Sequence, residues 1–101
     1  MESLISNHLT EIKNLFKRYD VEKAYLFGSA AKNNLTEDSD IDFLITFSNQ
    51  SDFESYGNNY FNLLYALQDL LKRDVDLLAE ETLSNPYLIE SINQSKIQLI
   101  C

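Results

Sequence analysis

The sequence contains little cysteine, little histidine and few basic side chains. These shortages exclude several kinds of binding site and ligand. The 101 residues contain one cysteine, Cys101, and one histidine, His8. A disulfide framework and a cysteine-rich zinc site are therefore excluded, and a reducing, cytoplasmic location is expected. No apolar run approaches the ~18 residues that a membrane span needs, and polar residues interrupt the apolar ones near the start, so neither a membrane span nor a signal peptide is expected.

The charge balance is strongly acidic. Eight Lys and Arg residues stand against 16 Asp and Glu residues, which gives a formal net charge of -8. Such a chain gains nothing from counterion release on a phosphate backbone, so direct nucleic-acid binding is not expected. A small anionic ligand accompanied by cations is compatible with this charge, and so is a basic protein.

Length and apolar spacing predict one α/β domain, residues 1–101, with a small mixed sheet of about four strands flanked by helices. Helices are predicted over 5–18, 52–72 and 86–93, with a helical turn at 29–32. Short apolar runs predict strands over 23–27, 40–47, 74–79 and 97–100. The first two strands lack a long helix between them, so the sheet should be mixed in direction.

Acidic side chains begin two of these strands. Asp40 and Asp42 are two residues apart, so a strand would project both carboxylates from one face. Asp76 begins the apolar half of another strand and could complete a cluster, and it is favoured over Asp74 because it adjoins buried leucines. Oxygen ligands of this kind suit Mg²⁺, and two such ions can clamp the reacting oxygens of a phosphoryl displacement.

A Gly-Ser turn precedes the acids. Gly28 ends the first strand and would let the backbone approach a ligand closely. Ser29 would then offer a hydroxyl and an N–H at the mouth of a helical turn, where phosphate oxygens bind well. Each element alone is common in solvated strand ends and ordinary turns. Their combination predicts a nucleoside triphosphate site.

The combination resembles the minimal nucleotidyltransferases (MNT) of the DNA polymerase β superfamily. The family signature is Gly-Ser, a short spacer, Asp-x-Asp and then a third carboxylate on a strand. This sequence has Gly28-Ser29, ten intervening residues, Asp40-Ile41-Asp42, and Asp76 within VDLL. The resemblance continues through LSNPYLIESINQSKIQLI, so it implies the nucleotidyltransferase fold for nearly the whole chain.

The resemblance also implies an activity. A nucleoside triphosphate, expected to be ATP, would bind with two Mg²⁺ ions, and the nucleoside monophosphate would pass to an acceptor hydroxyl. Asp40 and Asp42 would ligate metal, while Asp76 would hold the catalytic metal near the acceptor hydroxyl and assist its deprotonation. The implied triphosphate-binding residues are Gly28, Ser29 and Lys32.

The resemblance further implies a partner. Small members of the family pair with HEPN-domain toxins in toxin–antitoxin modules, in which the MNT protein (MntA-like) is the antitoxin, and some adenylylate a tyrosine of the toxin. A HEPN toxin in a hetero-oligomer is therefore expected. One departure is Lys32-Asn33 where the family usually has Arg-Gly. Lysine lacks the bidentate fork that suits phosphate, so weaker nucleotide binding is expected.

Two other functions compete with protein adenylylation. Phe61 and Tyr65 are four residues apart on the long predicted helix but lie off its main apolar stripe. An exposed aromatic patch there would favour a non-catalytic module that neutralises its partner by complex formation. An acidic surface also suits cationic aminoglycosides, but enzymes that modify them generally carry an extra domain, so this alternative ranks lowest.

Overall fold

The computed structural model describes residues 3–31, 36, 39–48 and 53–100. Within these ranges the helices are α1 Ser3–Asn7, α2 Leu9–Arg18, α3 Gly28–Ala31, α4 Phe53–Leu71 and α5 Pro86–Ser95, with a 3-10 helix at Glu80–Thr82. The strands are β1 Val21–Phe27, β2 Ile41–Phe47, β3 Val75–Ala79 and β4 Ile97–Ile100. No helix in the described ranges is long and apolar enough to cross a membrane.

The four strands form one mixed sheet in the order β3-β2-β1-β4. Strand β1 pairs antiparallel with both β2 and β4, whereas β2 and β3 run parallel. Parallel strands need a crossover connection, and α4 supplies it between β2 and β3. Both the mixed direction and the strand number are as the sequence predicted.

The main hydrophobic core lies between one face of the sheet and helices α1, α2 and α4. Ile5, Ile12 and Phe16 from the first two helices and Leu63 and Leu67 from α4 are fully buried there. Phe16 meets Phe43 of β2 edge to face, with ring centroids 5.7 Å apart. The alternating β2 residues Ile41, Phe43, Ile45 and Phe47 form the sheet side of this core.

A smaller cluster lies on the opposite face of the sheet, beneath α5. It joins Phe27 of β1, Leu44 of β2 and Ile92 of α5. Helix α5 begins at Pro86, and the Asn85 side-chain oxygen caps it by accepting the N–H groups of Tyr87 and Leu88. This face carries the acidic residues, so α5 covers part of the surface on which they lie.

The structure departs from the sequence prediction at the first helix. The predicted helix over residues 5–18 is interrupted at His8, which separates α1 from α2. The Nδ1–H of His8 donates to the carbonyl oxygen of Leu4 at 2.9 Å, and the His8 N–H bonds to Ile5 only three residues back. These local bonds tighten the turn, and apolar spacing carries no signal for them.

Candidate active site

Asp42 and Asp76 lie side by side on neighbouring strands. They are direct partners in the parallel pairing of β2 with β3, so their side chains project from the same face. Asp42 is half-buried and Asp76 is exposed. Asp40 immediately precedes β2 and is also exposed. The structure therefore brings two of the predicted carboxylates together by backbone register and places the third at the strand's entrance.

The environment of Asp42 opposes its ionisation. Burial, followed by the charges of Asp76 and Asp40, raises the pKa of Asp42 from 3.8 to about 6. In the described part of the chain, none of these three carboxylates forms an ion pair, since the one ion pair found joins Lys72 to Asp69. Within the described ranges no basic side chain offsets this repulsion between carboxylates, and a bound cation would relieve it.

The chemistry of the donors fits a hard divalent cation. Carboxylate oxygens are the ligands that Mg²⁺ prefers, and it commonly takes one or two of them together with water and phosphate oxygens. Among the residues that the structure describes, no three histidine, cysteine or acidic side chains already converge on one metal-binding point. The Asp42–Asp76 pair thus provides a two-carboxylate platform, which suits an ion whose remaining ligands arrive with the substrate.

Gly28 packs directly against Asp42. It adopts a φ of +71°, and Phe27, its neighbour, is the β1 residue paired with Asp42. A Cβ built on Gly28 would strike Oδ2 of Asp42 and lie 3.2 Å from its Cγ. The sequence predicted a close approach of the backbone to a ligand at this position. The structure shows a close approach to the half-buried carboxylate, which glycine alone permits.

The other predicted phosphate-binding residues are only partly described. The backbone of Ser29 belongs to the one-turn helix α3, which begins at Gly28 beside Asp42, while its side chain is not described. Lys32 and its neighbour Asn33 lie outside the described residues. The helical turn predicted at 29–32 is observed at Gly28–Ala31.

Arg73 and Tyr60 support the site in ways that the sequence did not indicate. The Nη1–H of Arg73 donates to the carbonyl oxygen of Ser39 at 3.2 Å, which holds the segment just before Asp40. The Tyr60 hydroxyl donates to the Leu77 carbonyl at 2.5 Å, and burial together with the charge of Asp76 raises the pKa of Tyr60. Both contacts join segments that are far apart in the chain, so no local sequence pattern predicts them.

Comparison with known proteins identifies the family. Residues 10–101 match the sequence profile of the family "Polymerase beta, Nucleotidyltransferase". The chain is 38% identical over 96 residues to "Putative protein adenylyltransferase MJ0128" of Methanocaldococcus jannaschii, covering 94% of each protein. It superimposes on the "Structure of putative minimal nucleotidyltransferase" with a TM-score of 0.78 and 28% identity, covering 92% of this chain and 90% of that one.

Two toxin–antitoxin structures share the fold. The structure of a toxin–antitoxin with AMP-PNP gives a TM-score of 0.72 at 24% identity, covering 90% of this chain and 71% of that chain. A tri-AMPylated Shewanella oneidensis HEPN toxin in complex with an MNT antitoxin gives a TM-score of 0.66 at 22% identity, covering 93% and 70%. With the profile match over most of its length, the chain belongs to the polymerase β nucleotidyltransferase family, and it is a nucleotidyltransferase of the minimal type.

Proposed function

We propose that this chain transfers AMP from ATP, in a Mg²⁺-dependent reaction, to a hydroxyl group of a partner protein. The observation that carries the proposal is the register pairing of Asp42 with Asp76, which sets two carboxylates side by side beside Gly28. The raised pKa of Asp42 supports it, because that carboxyl has an energetic reason to accept a cation. The curated relative named as a protein adenylyltransferase supports the choice of AMP and of a protein acceptor.

The proposed roles follow the residue assignments predicted from the sequence, and the placement of Gly28, Asp40, Asp42 and Asp76 supports them. Asp40, Asp42 and Asp76 would hold Mg²⁺, and Gly28, Ser29 and Lys32 would hold the triphosphate. When bound, Mg²⁺ supplies neutralisation of the charge that develops on the phosphate oxygens. Asp76 is exposed beside Asp42, so an acceptor hydroxyl can reach it and lose its proton to it. The acceptor oxygen then forms the new bond to the α-phosphorus, and the bond to the bridging oxygen breaks to release pyrophosphate.

The proposed acceptor is a HEPN toxin, with this chain as its antitoxin. Support comes from the related fold of an MNT antitoxin bound to an AMPylated HEPN toxin. The exposed position of Asp76 also suits an acceptor that arrives on a separate polypeptide. The acidic chain, with a net charge of -8, offers little to a nucleic-acid acceptor.

Label transfer tests the proposal. The purified protein is incubated with α-labelled ATP and Mg²⁺ in lysate of its own host, beside the variants Asp42→Asn and Asp74→Asn. Asp74 is exposed and precedes β3, so it provides a matched control outside the carboxylate pair. We expect one labelled protein with the wild type and with Asp74→Asn but not with Asp42→Asn, and mass spectrometry should identify it as a HEPN-domain protein carrying AMP. Equal labelling by Asp42→Asn would refute the metal assignment.

A second function, neutralisation by complex formation alone, is favoured by one observation. Phe61 and Tyr65 on α4 are 54% and 62% exposed, so both of the aromatic side chains that lie off the apolar stripe are at the surface. Residues four apart are neighbours on a helix surface, and a contiguous exposed aromatic patch is typical of a protein-interaction site. If Asp42→Asn still protected cells from the partner while labelling was lost, complex formation would be the function.

A further inference from the structure

A cavity of about 210 Å³ opens on the acidic face of the sheet, beneath α5. Its walls come from β2, the segment after β3 and α5, and its lining residues are Leu44, Glu80, Leu83, Ile89, Ile92 and Asn93. We propose that this cavity is the nucleobase subsite and that it selects adenine. The inference rests on the proposed function, because it assigns the base-binding part of the same site.

The position of the cavity relative to the carboxylates fits one nucleotide. Leu44 lies two residues beyond Asp42 on β2 and projects from the same face, about 7 Å farther along the strand. A single ribose separates the base of a nucleotide from its α-phosphorus, which is a comparable span. Phe27, the partner of Asp42, packs with Leu44 and Ile92 in one buried cluster, so the apolar cluster beneath the cavity extends to the strand position opposite Asp42.

The size and lining of the cavity suit a purine ring. Its volume lies below the roughly 300–1,000 Å³ of pockets that enclose whole drug-sized ligands, so it would hold one part of a nucleotide. Leu83, Ile89 and Ile92 provide the apolar surfaces against which a flat ring can pack. Glu80 and Asn93 are its only side chains with hydrogen-bonding groups among the described lining residues.

These two polar side chains distinguish adenine from guanine. The Thr46 hydroxyl donates to Oε2 of Glu80 at 2.6 Å, which orients this carboxylate and leaves Oε1 as an acceptor. In the described part of the chain the Asn93 amide has no hydrogen-bond partner, so both its donor and its acceptor are available. An asparagine amide pairs bidentately with the N6 amino group and N7 of adenine, and the second N6 hydrogen can bond to Glu80.

Guanine would bind more weakly than adenine to the same two residues. It presents the O6 carbonyl where adenine presents the N6 amino group, and this acceptor would face the Glu80 carboxylate. Two acceptors facing each other repel, and the carboxylate loses a donor. Asn93 thus favours adenine through a bidentate contact, and Glu80 disfavours guanine by repelling its O6 atom.

Nucleotide binding to the whole chain tests the assignment. Isothermal titration in Mg²⁺ measures Kd for ATP, GTP and inorganic tripolyphosphate with the wild type, Asn93→Leu and Glu80→Gln. Gln94→Leu and Glu90→Gln are matched controls, since both residues are exposed on α5 and neither lines the cavity. Circular dichroism verifies that each variant is folded. We expect the wild type to prefer ATP over GTP by about tenfold or more, and both test variants to reduce that preference by about tenfold while tripolyphosphate affinity is unchanged.

The outcomes separate this inference from the proposed function. An ATP preference that Asn93→Leu and Glu80→Gln abolish and the two controls retain would support the subsite. Tripolyphosphate binding without any preference for ATP, or with a preference that both test variants retain, would overturn the subsite and leave the triphosphate site standing. If neither nucleotides nor tripolyphosphate bound, the proposed function would fail and the subsite with it.

Discussion

The backbone of Gly28 leaves room for the Asp42 carboxylate and for nothing larger. A Cβ at Gly28 would collide with Oδ2 of Asp42, and the φ of +71° is one that residues with a Cβ rarely adopt. The glycine of the Gly-Ser motif therefore has a structural purpose inside the protein. It permits a half-buried acid to lie against the end of β1.

Gly28→Ala should destabilise the protein and disturb the site. Left-handed strain costs about 1–2 kcal/mol and overpacking about 1–3 kcal/mol, so we expect a loss of about 2–5 kcal/mol in the free energy of unfolding, measured by urea titration. Gly57→Ala is the control. A Cβ there meets nothing within 4 Å and Gly57 lies within α4, so that variant should gain about 0.5–1 kcal/mol. Equal stability of Gly28→Ala and wild type would contradict the packing of Gly28 against Asp42.

Asp42→Asn should stabilise the metal-free protein at neutral pH. The folded-state pKa of Asp42, about 6, lies above its ordinary value of 3.8, so the folded protein holds this proton more tightly than the unfolded chain does. The stability that the protonated carboxyl provides is complete below pH 3.8 and is lost as the pH rises through about 6. Asparagine avoids that loss. Because Asp42 is partly solvated, screening reduces the expected gain to about 1 kcal/mol.

The measurement is thermal unfolding in EDTA at several pH values. Asp42→Asn should melt above the wild type near neutral pH, and the difference should shrink as the pH falls from about 6 toward 3.8. A difference that is constant over this range would mean that ionisation of Asp42 is not its source. Asp69→Asn is a suitable control, because Asp69 is exposed on α4 and pairs only with Lys72 among the described residues.

The sequence predicted the strands well because their signals are local. Strands β2 and β3 consist of apolar runs that begin next to aspartates, and each starts one residue after its predicted boundary. The strand β4 and the start of α5 at Pro86 were predicted without error. Apolar alternation and helix-start chemistry depend on neighbouring residues, so the sequence alone suffices for them.

Other features depend on contacts between segments that are far apart in the chain. The alignment of Asp42 with Asp76 follows from strand order and register. The sequence predicted that Asp76 could join a cluster with Asp42, but not that the two residues are direct partners in the sheet. The cavity beneath α5 exists because α5 docks across Leu44 and because the 3-10 helix brings Glu80 beside Thr46. That 3-10 helix was not anticipated, since Glu80–Thr82 carries neither an apolar period nor a turn residue.

Mg²⁺ should stabilise the wild-type protein through the carboxylate pair. At a concentration about tenfold above Kd, binding to the folded state alone contributes about 1.4 kcal/mol, which for a domain of this size raises Tm by roughly 5–10 °C. Asp76→Asn should abolish this rise, because it removes the partner that stands opposite Asp42. Asp74→Asn should keep it: Asp74 precedes β3, and its charge is not among those that raise the pKa of Asp42. The rise should also fade below about pH 6, where a proton competes with the cation for Asp42.

Thermal unfolding of the three proteins with Mg²⁺ and with EDTA tests whether the Asp42–Asp76 pair binds the cation. A rise that persists in Asp76→Asn would place the cation elsewhere, and a rise lost in Asp74→Asn as well would show that total negative charge, rather than the Asp42–Asp76 pair, attracts it.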